Sequence, residues 1–313
     1  MNSQRLLPLR IGIGLALCLG GCAFSPRFTA TNSRAFSAPP VAARVDALID
    51  TGSITLGCAA DGTTTAIDAQ FTCGGLTQEE ADQRLTQADL EVVTVEGDTV
   101  RIRALFPKPH RNGDKVSLTI TLPTLTGALL RTDTGTISIS DAGGPVDVMT
   151  DTGSVTVERC AGSLVARTDT GGITVTSHGG AIDAETDTGR ITIEGCEGAL
   201  RAHADTGRIT VTGHTGAVEA QIDTGSVRIE LTDRSDAPVS IKTDTGGASL
   251  SVGKAFNGVI EAQVDTGRVR VEGDEARISA QDMGRHHGSV TVGDGGERST
   301  IVTDTGSIEL RVR

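Results

Sequence analysis

The triplet in this sequence with the greatest capacity for chemistry is Asp-Thr-Gly. It recurs at Asp133, Asp151, Asp169, Asp187, Asp205 and Asp223 every 18 residues, at Asp244 and Asp265 with a spacing of 21, and again at Asp304. Four copies, at Asp50, Asp151, Asp223 and Asp304, continue with serine. A pair of such aspartates held face to face can hydrolyse a peptide, because one carboxylate ionises while the other keeps its proton. That chemistry needs one pair at the meeting of two lobes. Here about ten copies form a single series, and the residue after the glycine varies among Ser, Thr, Gly and Arg. The series therefore reads as structural: the carboxylate accepts backbone N–H groups two residues on, and the glycine supplies a positive φ where the chain turns. Stacked carboxylates about 4.8 Å apart repel by about 1 kcal/mol per neighbour in water, whereas a hydrogen bond to a charged acceptor returns about 1.5–3 kcal/mol. The ladder can stand without a metal, so no cofactor is expected; calcium along the aspartates is the alternative.

A second column carries soft ligands. Nine residues after successive aspartates stand Cys160, His178, Cys196 and His214. Thiolate and imidazole in alternation form a zinc or copper ligand set if neighbouring rungs converge on one ion. Against this, a straight column rarely closes a tetrahedron, and a tolerant turn position explains the same residues. Cys160 and Cys196 should lie about 10 Å apart, two rungs of about 4.8 Å, too far for a disulfide. Cys58 and Cys73, flanking a short segment, are the expected disulfide of an exported chain.

What must position these columns is a repeat. Four and six residues after each aspartate stand Val155 and Val157, Ile173 and Val175, Ile191 and Ile193, Ile209 and Val211; at plus 13 and plus 15 stand Leu164 and Ala166, Ile182 and Ala184, Leu200 and Ala202, Val218 and Ala220. Each pair alternates with polar residues, the period of a half-buried strand. Inward parity changes twice per unit, at Asp-Thr-Gly and at the glycines Gly162, Gly180, Gly198 and Gly216. A fixed period near 20 residues marks stacked units that bury their apolar faces only against neighbours. The expected fold is all-β, a parallel β-solenoid of about ten coils of 18–21 residues, two-faced in preference to three-faced. Residues 131–313 would form the coils, with a degenerate copy at His286–Val290 and an open edge at Ser307–Arg313. Residues 45–130 would form a strand-rich cap with one short helix, opened by the capping box Thr77-Gln78-Glu79-Glu80.

The first residues read as an export signal, with Arg5 and Arg10 before an apolar run at Ile11–Leu19 that is too short to span a bilayer. Leu19-Gly20-Gly21-Cys22 resembles a lipobox, which implies cleavage after residue 21 and a lipid on Cys22. Ala23, in place of an aspartate, points to the outer membrane. Residues 22–44 then read as the lipidated cysteine and a flexible tether, with Pro39-Pro40 inside it. Loss of Arg5 and Arg10 takes the formal charge from −12 to −14, which excludes nucleic acid as a partner bound through charge. The chain has no Trp or Tyr, which counts against stacking on sugar rings.

The run of T-D-T-G-x-[IV]-x-[IV] units, as in Thr150–Val157 and Thr168–Val175, preceded by a strand-rich segment ending at Leu122-Pro123, resembles the bacterial "putative adhesin" family of β-strand-repeat domains. The resemblance spans about residues 45–313. It implies an adhesin-like role. Together with the anchor, the tether and the long polar faces, the expectation is a non-catalytic adhesin-like or scaffold surface of the envelope, with the membrane as partner through the anchor and envelope proteins or surface polymers as the others. The resemblance carries over no catalytic residue. A metal-binding envelope module, with calcium or zinc, is the alternative; a polysaccharide-processing β-helix enzyme would need a cleft of acids and bases that no column supplies.

Overall fold

The computed structural model describes residues 28–36, 43–59, 63, 65–95, 97–273 and 275–313. The expected signal at 1–21 and lipidated Cys22 lie outside the described residues. The strands are β1 (Phe28–Phe36), β2 (Arg44–Cys58), β3 (Ala66–Gly75), β4 (Asp89–Val95), β5 (Thr99–Leu105), β6 (Lys115–Leu122), β7 (Gly127–Thr134), β8 (Ile137–Ser140), β9 (Val146–Thr152), β10 (Val155–Glu158), β11 (Leu164–Thr176), β12 (Ile182–Glu194), β13 (Leu200–His214), β14 (Val218–Leu231), β15 (Val239–Val252), β16 (Gly258–Gly273), β17 (Ile278–Met283), β18 (His287–Val292) and β19 (Glu297–Val312), with one helix, α1 (Gln78–Gln87). The protein is all-β, and its strands join in one large sheet of mixed direction.

From β2 through β7 and β8 and on to β15 the pairing is parallel and the register advances by one repeat per rung, whereas β3 and β4 pair antiparallel with β6 and β5. Ile173 lies beside Ile191, Ile191 beside Ile209, and Ile209 beside Val227. The residues that alternate with polar neighbours in the sequence are the ones buried: Leu164, Ala166, Ile173 and Val175 in one rung, and Ile182, Ala184, Ile191 and Ile193 in the next. β-branched side chains on a pleated surface pack well in such a ladder.

Four expectations are corrected here. The segment read as tether contains β1, which pairs antiparallel along the whole length of β3 and buries Ala30; its Phe36 stacks edge-on against Phe71. Residues 44–58, read as part of the cap, form a rung, since β2 pairs in parallel with β7 and β8 on one side and with β5 and β6 on the other. Cys58 and Cys73 are free. Cys58 ends β2 beside Leu122, where β3 begins at Ala66 opposite Thr121, while Cys73 sits at the far end of β3; seven strand residues put them roughly 20 Å apart, well beyond the reach of a disulfide. Finally, Ser307–Arg313 is not an edge. β19 lies between β15 and β16, paired in parallel with both, and the expected degenerate copy is an antiparallel hairpin, β17–β18, laid against the first half of β16.

At the opposite end α1 and the antiparallel strands β1, β3 and β4 cover the ladder. The Thr77 hydroxyl accepts the Glu80 N–H at 3.1 Å, and the Glu80 carboxylate accepts the Leu76 N–H at 2.7 Å. Buried Arg84 on this helix bonds Asp114 at 2.5 Å and the carbonyls of Pro107 and Pro109. Thr77→Ala is expected to lower stability by about 1 kcal/mol, the usual worth of a cap, read as a shift in the urea midpoint.

Candidate functional site

The strand register places Asp50, Asp133, Asp151, Asp169, Asp187, Asp205, Asp223, Asp244, Asp304 and Asp265 in one column, in that spatial order. With rungs about 4.8 Å apart the column is roughly 43 Å long. Asp133 shows what the stacking does: partial burial, then the neighbouring charges of Asp50 and Asp151, hold its carboxyl above the usual range. The carboxylates of Asp133, Asp151, Asp169, Asp187, Asp205, Asp265 and Asp304 face solvent.

Beside these aspartates, their neighbours also hold the bend. The preceding threonine is buried at Thr132, Thr150, Thr168, Thr186, Thr243 and Thr303. Thr132 donates to the Asp50 carbonyl at 3.4 Å, and four of the other hydroxyls donate to the glycine carbonyl of the adjacent rung: Thr150 to Gly135 and Thr168 to Gly153 at 3.3 Å, Thr186 to Gly171 and Thr303 to Gly246 at 3.4 Å. The glycine stacks directly on that same carbonyl. A Cβ built on Gly171 would stand 1.6 Å from the Gly153 oxygen, and one on Gly189 would stand 1.6 Å from the Gly171 oxygen. Glycine is thus required by the closeness of the next rung, and at Gly171 also by its φ of +152°. Threonine precedes six of the ten aspartates, at Asp133, Asp151, Asp169, Asp187, Asp244 and Asp304, on the inward parity that Leu164 and Ala166 set for their strand, while Ile49, Ala204, Ile222 and Val264 hold the same place in the other rungs.

The second column is buried throughout. Cys160, His178, Cys196 and His214 are each at most 3 % exposed, so they fill the corner of the core. Each is engaged by backbone. The Ala142 N–H points at the Cys160 sulfur and the His178 N–H at the Cys196 sulfur, both at 3.4 Å. Nε2 of His178 lies 3.0 Å from the Gly162 carbonyl and Nε2 of His214 lies 2.9 Å from the Gly198 carbonyl. Among the described residues no three His, Cys, Asp or Glu side chains stand close enough to hold a metal ion. Burial raises the pKa of both thiols and lowers that of both imidazoles, so the sulfurs are protonated and the rings neutral at pH 7. The other two thiols are likewise unactivated: burial pushes Cys73 up to about 11 and raises Cys58.

The outward face that follows each glycine is rich in hydroxyls. Ser53 and Thr55, Thr136 and Ser138, Ser154 and Thr156, and Thr174 and Thr176 occupy it in four successive rungs, with Thr192 and Thr210 continuing the central column. Further along, Arg190 and Arg208 stand in register on the same face.

No family model matches this sequence, and no curated protein sequence matches it. Among solved structures, the chain is similar to a "putative adhesin" of Bacteroides fragilis at 17% identity, covering 90% of this chain and 97% of that one, with a TM-score of 0.42. It is similar to a "putative adhesin" of Parabacteroides distasonis at 12% identity over 90% and 97% of the two chains, with a TM-score of 0.36. A third neighbour, a "putative lipid binding protein" of Parabacteroides distasonis, is 11% identical over 89% and 96%, with a TM-score of 0.30. No helix among the described residues is long and apolar enough to cross a membrane.

Proposed function

We propose that this chain is a β-solenoid scaffold of the bacterial cell envelope, tethered to the outer membrane by lipid on Cys22 and acting as a non-catalytic interaction surface. The observation that carries the reading is the repetition of outward columns. The ladder from Asp50 to Asp265 presents the same aspartate and the same threonine on every rung. A surface that repeats every 4.8 Å or so along its length suits a repeating partner, such as a surface polymer or an envelope protein with its own ladder. Catalysis asks for the opposite, a unique and preorganised point. The hydroxyl face is the part best suited to contact, because its short side chains are flat and cost little entropy to order.

Lipidated protein extracted from envelopes should retain its partner, and replacing Thr156, Thr174 and Thr192 together by lysine should lower recovery of that partner at least tenfold without moving the thermal midpoint. Equal recovery would place contact on another face. Cys22→Ser should release the protein from membrane fractions or leave its precursor uncut; unchanged fractionation would remove the anchor from the reading.

A further inference from the structure

The order of the final rungs departs from the order of the sequence, because β19 stands between β15 and β16. All three strands carry Asp-Thr-Gly in the same register, with Thr245 beside Thr305 and Thr305 beside Thr266. The register across Asp-Thr-Gly is open to β16 as well as β19, and what sets β19 apart as a neighbour for β15 is the Ser299 hydroxyl, which accepts the buried Val239 N–H at 3.0 Å where β16 carries Ile260. The connections are also permissive. The 21-residue step from Asp223 to Asp244 crosses one rung, and the 21-residue step from Asp244 to Asp265 crosses two. A linker of that length therefore serves either distance.

We infer that β19 is an exchangeable rung, and that the slot between β15 and β16 accepts β19 from a second copy of this chain. Withdrawal of β19 does not have to leave two bare parallel edges, because β16 can settle directly onto β15 in the same register. One ladder interface is then lost, not two, and the barrier to exchange falls accordingly. The connection into β19 is built as a hinge. Gly293 and Gly295 adopt φ of +65° and +77°, and the loop crosses the start of β16 so closely that a Cβ on Gly296 would stand 2.5 Å from the Asn257 carbonyl. The Asn257 side chain latches it there, its Oδ1 accepting the N–H groups of Asp294 at 2.8 Å and Gly295 at 3.2 Å. A second latch holds the other end of the strand: the Arg277 guanidinium bonds the carbonyls of Gly253, Phe256 and Arg313, and Arg313 bonds Glu230. Exchange of an identical element between protomers is a low-cost route to a dimer, and here the element fits its acceptor by repetition.

Ser240 and Thr300 are opposed on β15 and β19, with side-chain oxygens 3.5 Å apart. Full-length S240C and full-length T300C, incubated together under mild oxidation, are expected to give a disulfide-linked mixed dimer that neither variant gives alone, and adding Asn257→Ala to both should speed its appearance several-fold. The slot's closed state is read in a second pair, S240C with E261C: these positions are two rungs apart with β19 in place, about 10 Å, and join by a disulfide only after β16 has settled onto β15. The exchange is overturned if S240C/T300C in one chain closes within the monomer while the mixed single variants stay monomeric, with or without the Asn257 change. A dimer of S240C with itself would report an edge contact between copies and would equally overturn it.

Discussion

Replacing Gly171 by alanine is expected to lower the stability of the chain by at least about 3 kcal/mol, combining a strained backbone at about 1–3 kcal/mol with overpacking at a similar cost. The added Cβ would lie 1.6 Å from the Gly153 oxygen and 2.6 Å from its carbon, and the residue would have to hold φ at +152°. Neither obstacle is the mobile end of a side chain. The Gly153 backbone is held in the ladder by its N–H, bonded to the Thr170 carbonyl at 2.9 Å, so relief requires moving a rung. The adjacent glycine is the control. A Cβ on Gly172 would meet nothing nearer than the Arg190 carbonyl oxygen at 3.6 Å, an ordinary contact. Gly172→Ala should be neutral or stabilising by up to about 1 kcal/mol, since glycine loses more freedom than alanine when a strand orders. Asp169→Asn, at an exposed carboxylate, should stay within about 0.5 kcal/mol of the parent. Urea midpoints of the three variants, compared at equal slope, decide the matter. A Gly171→Ala protein within 1 kcal/mol of its parent would mean that adjacent rungs do not pack glycine on carbonyl.

These three positions also show what the sequence could reveal. The alternation at Ile173 and Val175 and at Leu164 and Ala166 was legible because burial of one strand face leaves a period of two, and the 18-residue spacing gave the register. The division of labour inside Thr-Asp-Thr-Gly was not, because composition cannot say which of two polar neighbours turns inward at a bend. Thr168 is buried and Asp169 exposed, the reverse of the weight that a charged, hydrogen-bonding residue attracts. The position of β19 was illegible for a different reason: units that share Asp-Thr-Gly and the same strand period offer one another the same register, so the repeat alone does not fix their order, and the Ser299 bond to Val239 that does favour β19 shows only in three dimensions. Cys58 and Cys73 were paired on proximity in sequence, but β2 and β3 are held apart by β6, and each cysteine sits at an opposite end of the resulting sheet segment.

Lowering the pH from 7.5 to 5 is expected to destabilise the protein through His178 and His214, well above the range in which carboxylates titrate. Each ring places Nε2 against a backbone carbonyl, so of the two neutral tautomers the one with its proton on Nε2 makes the bond. Nδ1 of both rings is buried with no partner. A second proton would add there, putting a charge where no acceptor is in contact with it, and desolvation accordingly lowers both pKa values from 6.5. As the folded value lies below that of the unfolded chain, the unfolded state takes up more protons as the pH falls. The stability is complete above about pH 6.5 and drains away below it, at up to about 1.4 kcal/mol per pH unit for each ring, until the folded-state pKa is reached. The carboxylates of Asp46 and Asp141 have values lowered from 3.8 by their arginine partners, so their contribution fails only at more acidic pH and leaves this window to the histidines. Glutamine at both positions keeps an amide N–H to offer the Gly162 and Gly198 carbonyls but does not titrate. The double variant His178→Gln, His214→Gln should therefore show a flat urea midpoint between pH 5 and 7 where the parent slopes. Equal slopes in the two proteins would show that the rings are not the groups that take up protons on unfolding, and the buried column would have no part in acid sensitivity.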